Sequence, residues 1–335
     1  MKTERNLFSE LCRAGVLLFF LIPHPSSLIP MAAAIAADYP ARPVRFLVPN
    51  PPGGGTDLVA RIAAQKVSER WGTNLVVDNR PGAGGIIAVE VAAKSAPDGY
   101  TLLMAHFPLA ITVSLVKVSF DPLRDFAPVT QLATTQNVLA INPAVAAKSV
   151  KEFIALAKEK PGELRYASGG NGTSMHVSAE LFALMAGVRL AHIPYKGAAP
   201  ALVDLISGQV QASFLSVPAA VPHIKAGRIR ALAVTGPRRS PLVSDLPTLS
   251  EAGLSGYGSE QWYGVLVPRR TPRAIVEQLN RDFAWALGQP DARARLQGSG
   301  YEVASDTTAD GFGRFLKSEI AKWAEVVKKA GIKAQ

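Results

Sequence analysis

Apolar and polar positions follow two alternating patterns from residue 44 onward. Val44–Val48 is a continuous apolar run, typical of a buried strand, and a turn-rich stretch follows at 49–55. Thr56 or Asp57 then has a side chain able to cap a helix whose apolar positions recur as far as Trp71. The same patterns predict strands at 75–77, 101–104, 138–141, 164–167, 190–193, 212–215, 231–235 and 262–267, and helices at 86–94, 150–160, 175–185, 198–206, 272–287 and 310–329. Strands that alternate with helices indicate an α/β fold with a parallel sheet covered by helices.

Two segments share one arrangement: a strand, a glycine-rich loop and a helix start. The loops read Pro51-Pro52-Gly53-Gly54-Gly55-Thr56-Asp57 and Ser168-Gly169-Gly170-Asn171-Gly172-Thr173-Ser174. Such a loop presents unpaired backbone N–H groups at the positive end of a helix dipole, which suits an anionic oxygen. Two of them in two lobes could hold one carboxylate, or a dicarboxylate, across a cleft. The alternative is that glycine serves only the turn between strand and helix.

The first 37 residues have the layout of a secretory signal peptide. Lys2, Arg5 and Arg13 give a basic start, residues 16–22 are apolar, and an Ala-x-Ala site lies at 34–36. The apolar run is far shorter than the roughly 20 residues that span a bilayer, so an uncleaved anchor is the weaker interpretation. We therefore predict cleavage near Ala37 or Asp38 and export of a mature chain of about 300 residues to the periplasm.

Composition and motifs exclude several functions. The single Cys of the 335 residues rules out a disulfide framework, and the net charge of +10 comes from scattered basic residues, which argues against nucleic acid. No Walker or G-x-S-x-G motif occurs, and Ile87 stands where a dinucleotide loop needs its third glycine. The mature histidines lack metal-ligand spacing. The sequence predicts a binding protein with no catalytic residue, no metal and no cofactor.

Motifs along the whole mature chain resemble the Bug/TctC family, the periplasmic solute-binding receptors of tripartite tricarboxylate transporters. They include Val48-Pro49-Asn50-Pro51-Pro52-Gly53-Gly54-Gly55-Thr56-Asp57, Asn79-Arg80-Pro81-Gly82-Ala83-Gly84-Gly85, Ala96-Pro97-Asp98-Gly99-Tyr100, Gly170-Asn171-Gly172-Thr173, Pro194-Tyr195-Lys196-Gly197 and Pro222-His223-Ile224-Lys225-Ala226-Gly227. The resemblance implies a two-lobed Venus-flytrap fold of type II, with residues 38–137 plus 261–335 in lobe 1 and 138–260 in lobe 2. It also implies a small organic acid held in the cleft by main-chain groups and water, delivery to membrane permease subunits, and a monomer.

The two glycine loops and the family motifs together predict a ligand site on these loops and on the segments that face them. The predicted site residues are Pro52, Gly53, Gly54, Thr56, Asp57, Gly82, Gly84, His106, Phe107, Ser168, Gly170, Asn171, Gly172, Thr173, Ser174, Tyr195, Lys196, Gly197, Leu215 and Ser216.

Two departures from the family pattern bear on the ligand. His106 and Phe107 replace a small polar stretch, and Leu215 stands where members often carry Asp. They favour a less polar carboxylate, aromatic acids included, over an amino acid or citrate. Alternatively, Leu215 packs in a strand and Phe107 fills a core. Lys196 and Arg80 could each face a second carboxylate or be solvated.

Two other functions remain open at this point. The same binding protein could serve a sensor in place of a permease, or the fold could have been reused for a periplasmic enzyme. The enzyme would need a nucleophile or an acid–base pair, and the sequence offers neither.

Overall fold

The computed structural model describes residues 39–333. The predicted signal peptide and its cleavage site lie outside them. The strands are β1 (Val44–Val48), β2 (Leu75–Asn79), β3 (Thr101–His106), β4 (Phe126–Ile141), β5 (Arg165–Ser168), β6 (Ala191–Pro194), β7 (Ala212–Ser216), β8 (Arg230–Val234), β9 (Glu260–Pro268) and β10 (Glu302–Val303). The α-helices are α1 (Gly55–Trp71), α2 (Ile86–Ala93), α3 (Pro108–Leu115), α4 (Val150–Glu159), α5 (Ser174–Ala186), α6 (Ala198–Ser207), α7 (Val217–Lys225), α8 (Arg273–Gly288), α9 (Pro290–Gly298) and α10 (Ala309–Ala330).

The strands form two sheet regions joined by β4. In the first, the order is β2-β1-β3-β9-β4, with β10 beside β4; in the second it is β4-β7-β5-β6, with β8 also on β4. Residues of β4 up to Gln136 pair with β9, and from Asn137 onward they pair with β7. This one long strand therefore runs through both lobes. The lobe boundaries near Asn137 and Glu260 remain a prediction.

The sheet is mixed, which corrects the expectation of a parallel one. The outer pairs β1–β2, β1–β3, β5–β6 and β5–β7 are parallel, as the alternation of strands with helices requires. The strands β4 and β9 run antiparallel to their neighbours. They are the central strands, placed where the two lobes meet.

Each sheet region is buried on both faces by helices. In lobe 1, Phe46 and Leu102 face the cluster that contains residues of α1 and α8, while Leu47 and Leu103 face residues of α2, α3 and α10. In lobe 2, Phe214 lies in a cluster with α4 and α5, and Leu215 lies on the opposite face with α6 and α7. Burial on both faces explains why these strands read as continuous apolar runs.

Some helices begin as the sequence predicts, and others have a different N-terminal cap. Helix α4 begins at Val150, as predicted, and Ser149 caps it by accepting the Glu152 N–H at 3.2 Å. The cap of α1 is Gly54, which corrects the prediction of Thr56 or Asp57. Asp57 instead accepts the N–H of Gly53, and this bond holds the loop in front of the helix.

Several elements escaped the sequence analysis. These are the first three-quarters of β4, the helices α3, α7 and α9, and the short strand β10. Helix α3 is apolar nearly all round and so shows no amphipathic period, and α7 carries two prolines, which argue against a helix in the sequence. Within residues 39–333, no helix has both the length and the apolar character needed to cross a membrane.

Candidate functional site

A chamber of about 490 Å³, called the main chamber below, lies between the lobes. It is lined by Asn50, Gly55, Thr56, His106, Phe107, Pro108, Thr135, Asn137, Gly169, Thr173, Ser174, Met175, Gly197, Ala198, Ser216, Pro218, Ala219, Gln261, Tyr263 and Tyr301. In open α/β sheets, ligands bind at the carboxyl ends of the strands, where the following helices begin. The first residues of α1, α3, α5, α6 and α7 all contribute to this wall. Five helix N-termini thus converge on one chamber.

The lobe 1 loop leaves backbone donors free at the start of α1. Gly54 caps the helix without a side-chain hydrogen bond, and the first main-chain bond into the helix is Leu58 N–H to Gly54 O at 2.9 Å. The N–H groups of Gly55 and Thr56 have no acceptor among residues 39–333. Because they border the chamber, they are available to an anionic oxygen.

Asp57 braces this loop and does not line the chamber. Its carboxylate accepts hydrogen bonds from Gly53 N–H (2.9 Å), Arg61 Nε (2.8 Å) and Asn79 Nδ2 (3.0 Å). Burial works against ionisation, but the bonds from Arg61, Gly53 and Asn79 together hold the pKa of Asp57 below its usual value. The negative charge of Asp57 therefore stabilises the conformation of the loop.

Gly55 is required at its position by close packing. A Cβ on this residue would overlap the Tyr301 hydroxyl and would come within 3.5 Å of the Tyr263 hydroxyl. The two tyrosine rings meet edge to face with centroids 5.6 Å apart. The first turn of α1 thus sits directly against two phenols at one end of the chamber.

The lobe 2 loop is shaped by its own polar groups. Thr173 caps α5 by accepting the His176 N–H at 3.4 Å, and Gly172 N–H donates to His176 Nδ1 at 3.1 Å. Gly170 N–H donates to Ser168 Oγ at 3.1 Å. The N–H groups of Ser174 and Met175 find no acceptor in the part of the chain that the structure describes, and both residues line the chamber.

Two neutral histidines support this loop from behind. His192 Nε2 lies 2.6 Å from Ser168 Oγ, and its ring stacks on His176 with centroids 3.9 Å apart. Tyr166 also stacks on His192, with centroids 4.8 Å apart. Burial lowers the pKa of His176 to about 3, helped by His192, and burial lowers the pKa of His192 to about 4. Both rings are therefore uncharged at neutral pH, which leaves His176 Nδ1 free to accept.

Among the described residues 39–333, no charged side chain lines the main chamber. Within residues 39–333, its lining includes no Asp, Glu, Lys or Arg, and burial lowers the pKa of His106 to about 4, so this ring is neutral as well. Positive potential then comes from the helix termini and from N–H and O–H dipoles. The arrangement suits an anion and offers no counter-charge to an ammonium group.

A side chamber of about 390 Å³ adjoins the main one. Gly82 and Gly84 line it from lobe 1, and Asn171 and Gly172 line it from lobe 2. It shares four residues with the main chamber, namely Asn50, His106, Pro108 and Thr173. These four form the junction between the chambers.

The predicted site residues divide into three groups. The main chamber is lined by Thr56, His106, Phe107, Thr173, Ser174, Gly197 and Ser216, and the side chamber by Gly82, Gly84, His106, Asn171, Gly172 and Thr173. Neither chamber is lined by Pro52, Gly53, Gly54, Asp57, Ser168, Gly170, Tyr195, Lys196 or Leu215. Ser168, like Asp57, lies behind its loop as a support.

Two of these positions correct the ligand argument. Leu215 is 1% exposed and packs in the lobe 2 core, while its neighbour Ser216 lines the chamber. Phe107 borders the chamber but is also 1% exposed, and its ring meets Trp323 at 5.1 Å. The alternative placement of both residues, in a strand and in a core, is the one observed. Lys196 is solvent-exposed on the loop before α6.

Other lining residues were missed. They are Asn50, Gly55, Pro108, Thr135, Asn137, Gly169, Met175, Ala198, Pro218, Ala219, Gln261, Tyr263 and Tyr301. Gly55 and Gly169 belong to the two glycine loops and could have been included. A weaker signal exists for Thr135 and Asn137, because a polar run interrupts an otherwise apolar strand there. Tyr263 and Tyr301 lie far from the glycine loops in the sequence, so no local sequence pattern predicts that they line the chamber.

Fold and site together define a class of protein. Two α/β lobes joined by long strands, with an uncharged chamber of helix N-termini between them, are the architecture of a periplasmic-type solute-binding protein.

Comparisons with known proteins identify the family within that class. The family model for the tripartite tricarboxylate transporter family receptor matches residues 59–332. Protein BugT of Bordetella pertussis is 38% identical over 309 residues, which cover 90% of this chain and 94% of BugT. The chain therefore belongs to the tripartite tricarboxylate transporter receptor family, whose members are periplasmic solute receptors. The resemblance seen in the sequence motifs is confirmed.

Solved structures agree with this assignment. An R. palustris protein with adipate is 39% identical, with a TM-score of 0.74 over 88% of this chain and 99% of that protein. MatC from Rhodopseudomonas palustris, with bound malate, is 33% identical, with a TM-score of 0.72 over 86% of this chain and all of that protein (100%). The two-lobed binding-protein fold is thus confirmed.

Proposed function

We propose that this chain is a periplasmic receptor that binds a small organic carboxylate in the main chamber and delivers it to a tripartite tricarboxylate-type permease. The observation that carries the proposal is the convergence of five helix N-termini on a chamber without charged side chains. The carboxylate bridges the free N–H groups of Gly55 and Thr56 in lobe 1 and those of Ser174 and Met175 in lobe 2. The adipate and malate in the two related structures support a carboxylate as the ligand.

The chamber walls favour a carboxylic acid of low polarity. Pro108, Met175, Ala198, Pro218 and Ala219 present apolar surface, and two tyrosine rings close one end. An amino acid would bring an ammonium group that meets no carboxylate there. The preference for a less polar acid, aromatic acids included, now rests on these walls and no longer on Leu215.

The receptor acts by closing and not by chemistry. We infer that lobe 1 (38–137 plus 261–335) and lobe 2 (138–260) close over the acid, and that the permease subunits recognise the closed form. Binding is expected from the monomer, after removal of residues 1–37. Catalysis would need a nucleophile beside a base, and the chamber lining contributes no such pair within residues 39–333.

A thermal-shift screen with matched ligands tests the proposal. The protein is unfolded and refolded to remove carried-over ligand, and then mixed with mono-, di- and aromatic carboxylates and with the primary amide of each. An acid at about 100 times its Kd should add roughly 2.7 kcal/mol to the free energy of unfolding. We expect this shift with at least one acid and no shift with its amide. Equal shifts with acid and amide, or none with any acid, would contradict the proposal.

A pair of serine variants locates the site in the same assay. Ser174 lines the chamber, whereas Ser207 ends α6 on the surface and donates to Asp204 O. Ser174→Ala keeps the backbone N–H and removes the hydroxyl, which we infer also donates to the acid, so we expect it to weaken binding by about three- to tenfold, the value of one hydrogen bond, and Ser207→Ala to leave binding unchanged.

A further inference from the structure

A further concave region lies on lobe 1, away from both chambers, and is called the basic pocket below. It encloses about 560 Å³, and its charged lining residues are Glu90, Lys94, Arg124, Asp125, Arg269 and Arg270. Asp125 directly precedes β4, and Thr135 of the same strand lines the main chamber. At about 3.3 Å per residue of extended chain, the basic pocket lies roughly 30 Å from the ligand site.

Both carboxylates of the basic pocket are held by groups of their own segments. Asp125 accepts hydrogen bonds from Asp121 N–H at 2.7 Å and from Arg124 Nε at 3.1 Å. Glu90 accepts a hydrogen bond from the Ser119 hydroxyl at 2.6 Å. The only cation of the pocket that either carboxylate meets is therefore Arg124, within the part of the chain that the structure describes.

The other three cations lack a counter-charge. Among residues 39–333, no carboxylate oxygen lies within 4.0 Å of the charged groups of Lys94, Arg269 or Arg270, and these side chains make no hydrogen bond. Arg124 bonds to Asp125 through Nε alone, so its two Nη groups are also available. Four cations and two carboxylates leave the pocket with a net charge of +2, which favours the binding of an anion.

The main chain that carries these cations is fixed by hydrogen bonds. Phe126 pairs with Pro268 where β4 begins and β9 ends, and Arg269 N–H donates to Asp125 O at 2.9 Å. Thr271 closes the following turn, since its N–H (3.0 Å) and its hydroxyl (2.8 Å) both donate to Pro268 O. Only side chains need to become ordered around a ligand here, which lowers the entropic cost of binding.

The donors of the basic pocket match a phosphate group better than a carboxylate. A guanidinium presents parallel N–H groups that suit two oxygens of either anion. A carboxylate has two oxygens and one charge, so a single carboxylate uses only part of a set of three guanidiniums and one ammonium. A phosphate group offers three strong acceptor oxygens and up to two negative charges.

We propose that the basic pocket binds a phosphate group, either as free phosphate or as the headgroup of an anionic phospholipid. Arg269 and Arg270 supply the principal contacts, because both are unpaired and adjacent on the fixed turn. The site is separate from the main chamber, so it does not depend on the proposed function.

Isothermal titration of the mature chain with inorganic phosphate at low salt tests the site. We expect saturable binding that weakens as salt is raised, because the contacts are charged and exposed to solvent. The double variant Arg269→Gln/Arg270→Gln removes two guanidiniums and should weaken phosphate binding at least tenfold. Nitrate, which is planar and carries one charge, should bind at least tenfold more weakly than phosphate to the wild type.

A second double variant controls for overall charge. Arg165→Gln/Arg189→Gln removes two exposed arginines from the starts of β5 and β6 in lobe 2, and neither residue lines the basic pocket. It lowers the net charge by the same amount and should leave the Kd for phosphate within about twofold of the wild type. Equal losses in the two double variants would overturn the proposal.

Vesicle sedimentation distinguishes the two sources of the phosphate group. For a lipid headgroup, the wild type should sediment with phosphatidylglycerol vesicles and not with phosphatidylcholine vesicles, inorganic phosphate should release it, and Arg269→Gln/Arg270→Gln should stay in solution. For free phosphate, titration should show binding while neither vesicle sediments the protein.

Three results would overturn the site itself. The first is the absence of both phosphate binding and sedimentation. The second is phosphate binding that survives Arg269→Gln/Arg270→Gln, which would place the anion elsewhere, for example in the main chamber. The third is sedimentation that phosphate does not reverse, which would reflect the general positive charge of the surface. None of these results bears on carboxylate binding between the lobes.

Discussion

The two glycine loops that face each other across the cleft have the same local plan but different supports. In lobe 1, the loop before α1 is held by an ionised carboxylate, Asp57, which is 3% exposed and paired with Arg61 at 2.8 Å. In lobe 2, the loop before α5 is held by two neutral imidazoles, His176 and His192, which bond to Gly172 and Ser168. One loop depends on a charge being present and the other on a charge being absent.

The two halves of the site therefore respond differently to acid. The lobe 1 brace keeps its charge until the solution is more acidic than the already lowered pKa of Asp57. The lobe 2 support fails once a proton occupies His176 Nδ1, because that atom can then no longer accept from Gly172 N–H. Acid should therefore loosen both loops, the lobe 1 loop by removing a charge and the lobe 2 loop by adding one.

The pH dependence of stability is the largest effect expected. His192 has a pKa of about 4 in the folded chain, against roughly 6.5 when unfolded. Between these values the unfolded chain binds more protons, so the contribution of His192 to stability is complete near pH 7 and is lost as the pH falls toward 4. Asp57, whose folded pKa is lowered, keeps its contribution over this range and loses it only at still lower pH.

The substitution His192→Gln removes the contribution of this imidazole to the pH dependence of stability, while it keeps an amide near Ser168. Other groups titrate in the same range with the opposite sign: burial raises the pKa of Glu180, and raises that of Glu260 to about 7. The comparison must therefore be between wild type and variant. From urea unfolding at pH 7 and pH 4, we expect the stability advantage of the wild type to shrink by about 2 kcal/mol, after allowance for partial exposure of the ring. Parallel pH profiles for the two proteins would refute this account of the lobe 2 support.

The second-largest effect is expected from a substitution that creates a steric overlap in the lobe 1 loop. Gly55→Ala places a Cβ on the Tyr301 hydroxyl, so either the loop or the tyrosine must move. Overpacking of this kind costs about 1–3 kcal/mol, and because the displaced N–H groups are those proposed to bind the ligand, we expect at least a tenfold weaker Kd by calorimetry.

Neighbouring variants serve as controls for this test. Gly54→Ala adds the same methyl group where the nearest atom, Pro51 O, is 3.8 Å away and the backbone φ of −81° suits alanine, so binding should be unchanged. Adding Tyr301→Phe to Gly55→Ala removes the overlapping oxygen and should recover part of the affinity. Wild-type binding by Gly55→Ala would mean that the start of α1 does not hold the acid.

The sequence predicted the two loops well because their signal is local. A buried strand, a run of glycines and a helical period occupy about 25 consecutive residues in each case, as 44–71 and 165–186 demonstrate. Leu215 was placed wrongly because β7 is buried on both faces, and an apolar run does not reveal which side of the strand faces a cleft. Ser216, one residue on, is the one that lines it.

The supports and the far wall of the site could not be predicted, for a physical reason. His192 meets Ser168 across 24 residues, and Tyr301 meets Gly55 across some 250, so their positions depend on tertiary packing of whole elements. Asp57 was predicted as a ligand residue because its position in the motif is next to the free N–H groups. Its hydrogen bonds to Gly53, Arg61 and Asn79 appear only once the chain is folded.

The smallest effect expected concerns the cation nearest to the lobe 2 site in sequence. Lys196 is exposed and lines neither chamber, so its interaction with a bound carboxylate is screened by solvent and salt. We expect Lys196→Ala to change Kd by less than about twofold at 0.15 M salt, as should the control Lys160→Ala at the end of α4.

Titrations at two salt concentrations distinguish a screened interaction of Lys196 with the ligand from a direct ion pair. A residual contribution of Lys196 through solvent should grow at low salt and vanish near 1 M, where the screening length is only about 3 Å. A tenfold loss that persists at 1 M would instead indicate a direct ion pair. Ligand binding in lobe 2 would then depend on a charged side chain. The two loops would still differ in their supports, an ionised carboxylate against neutral imidazoles, but the ligand would no longer be bound by uncharged groups alone.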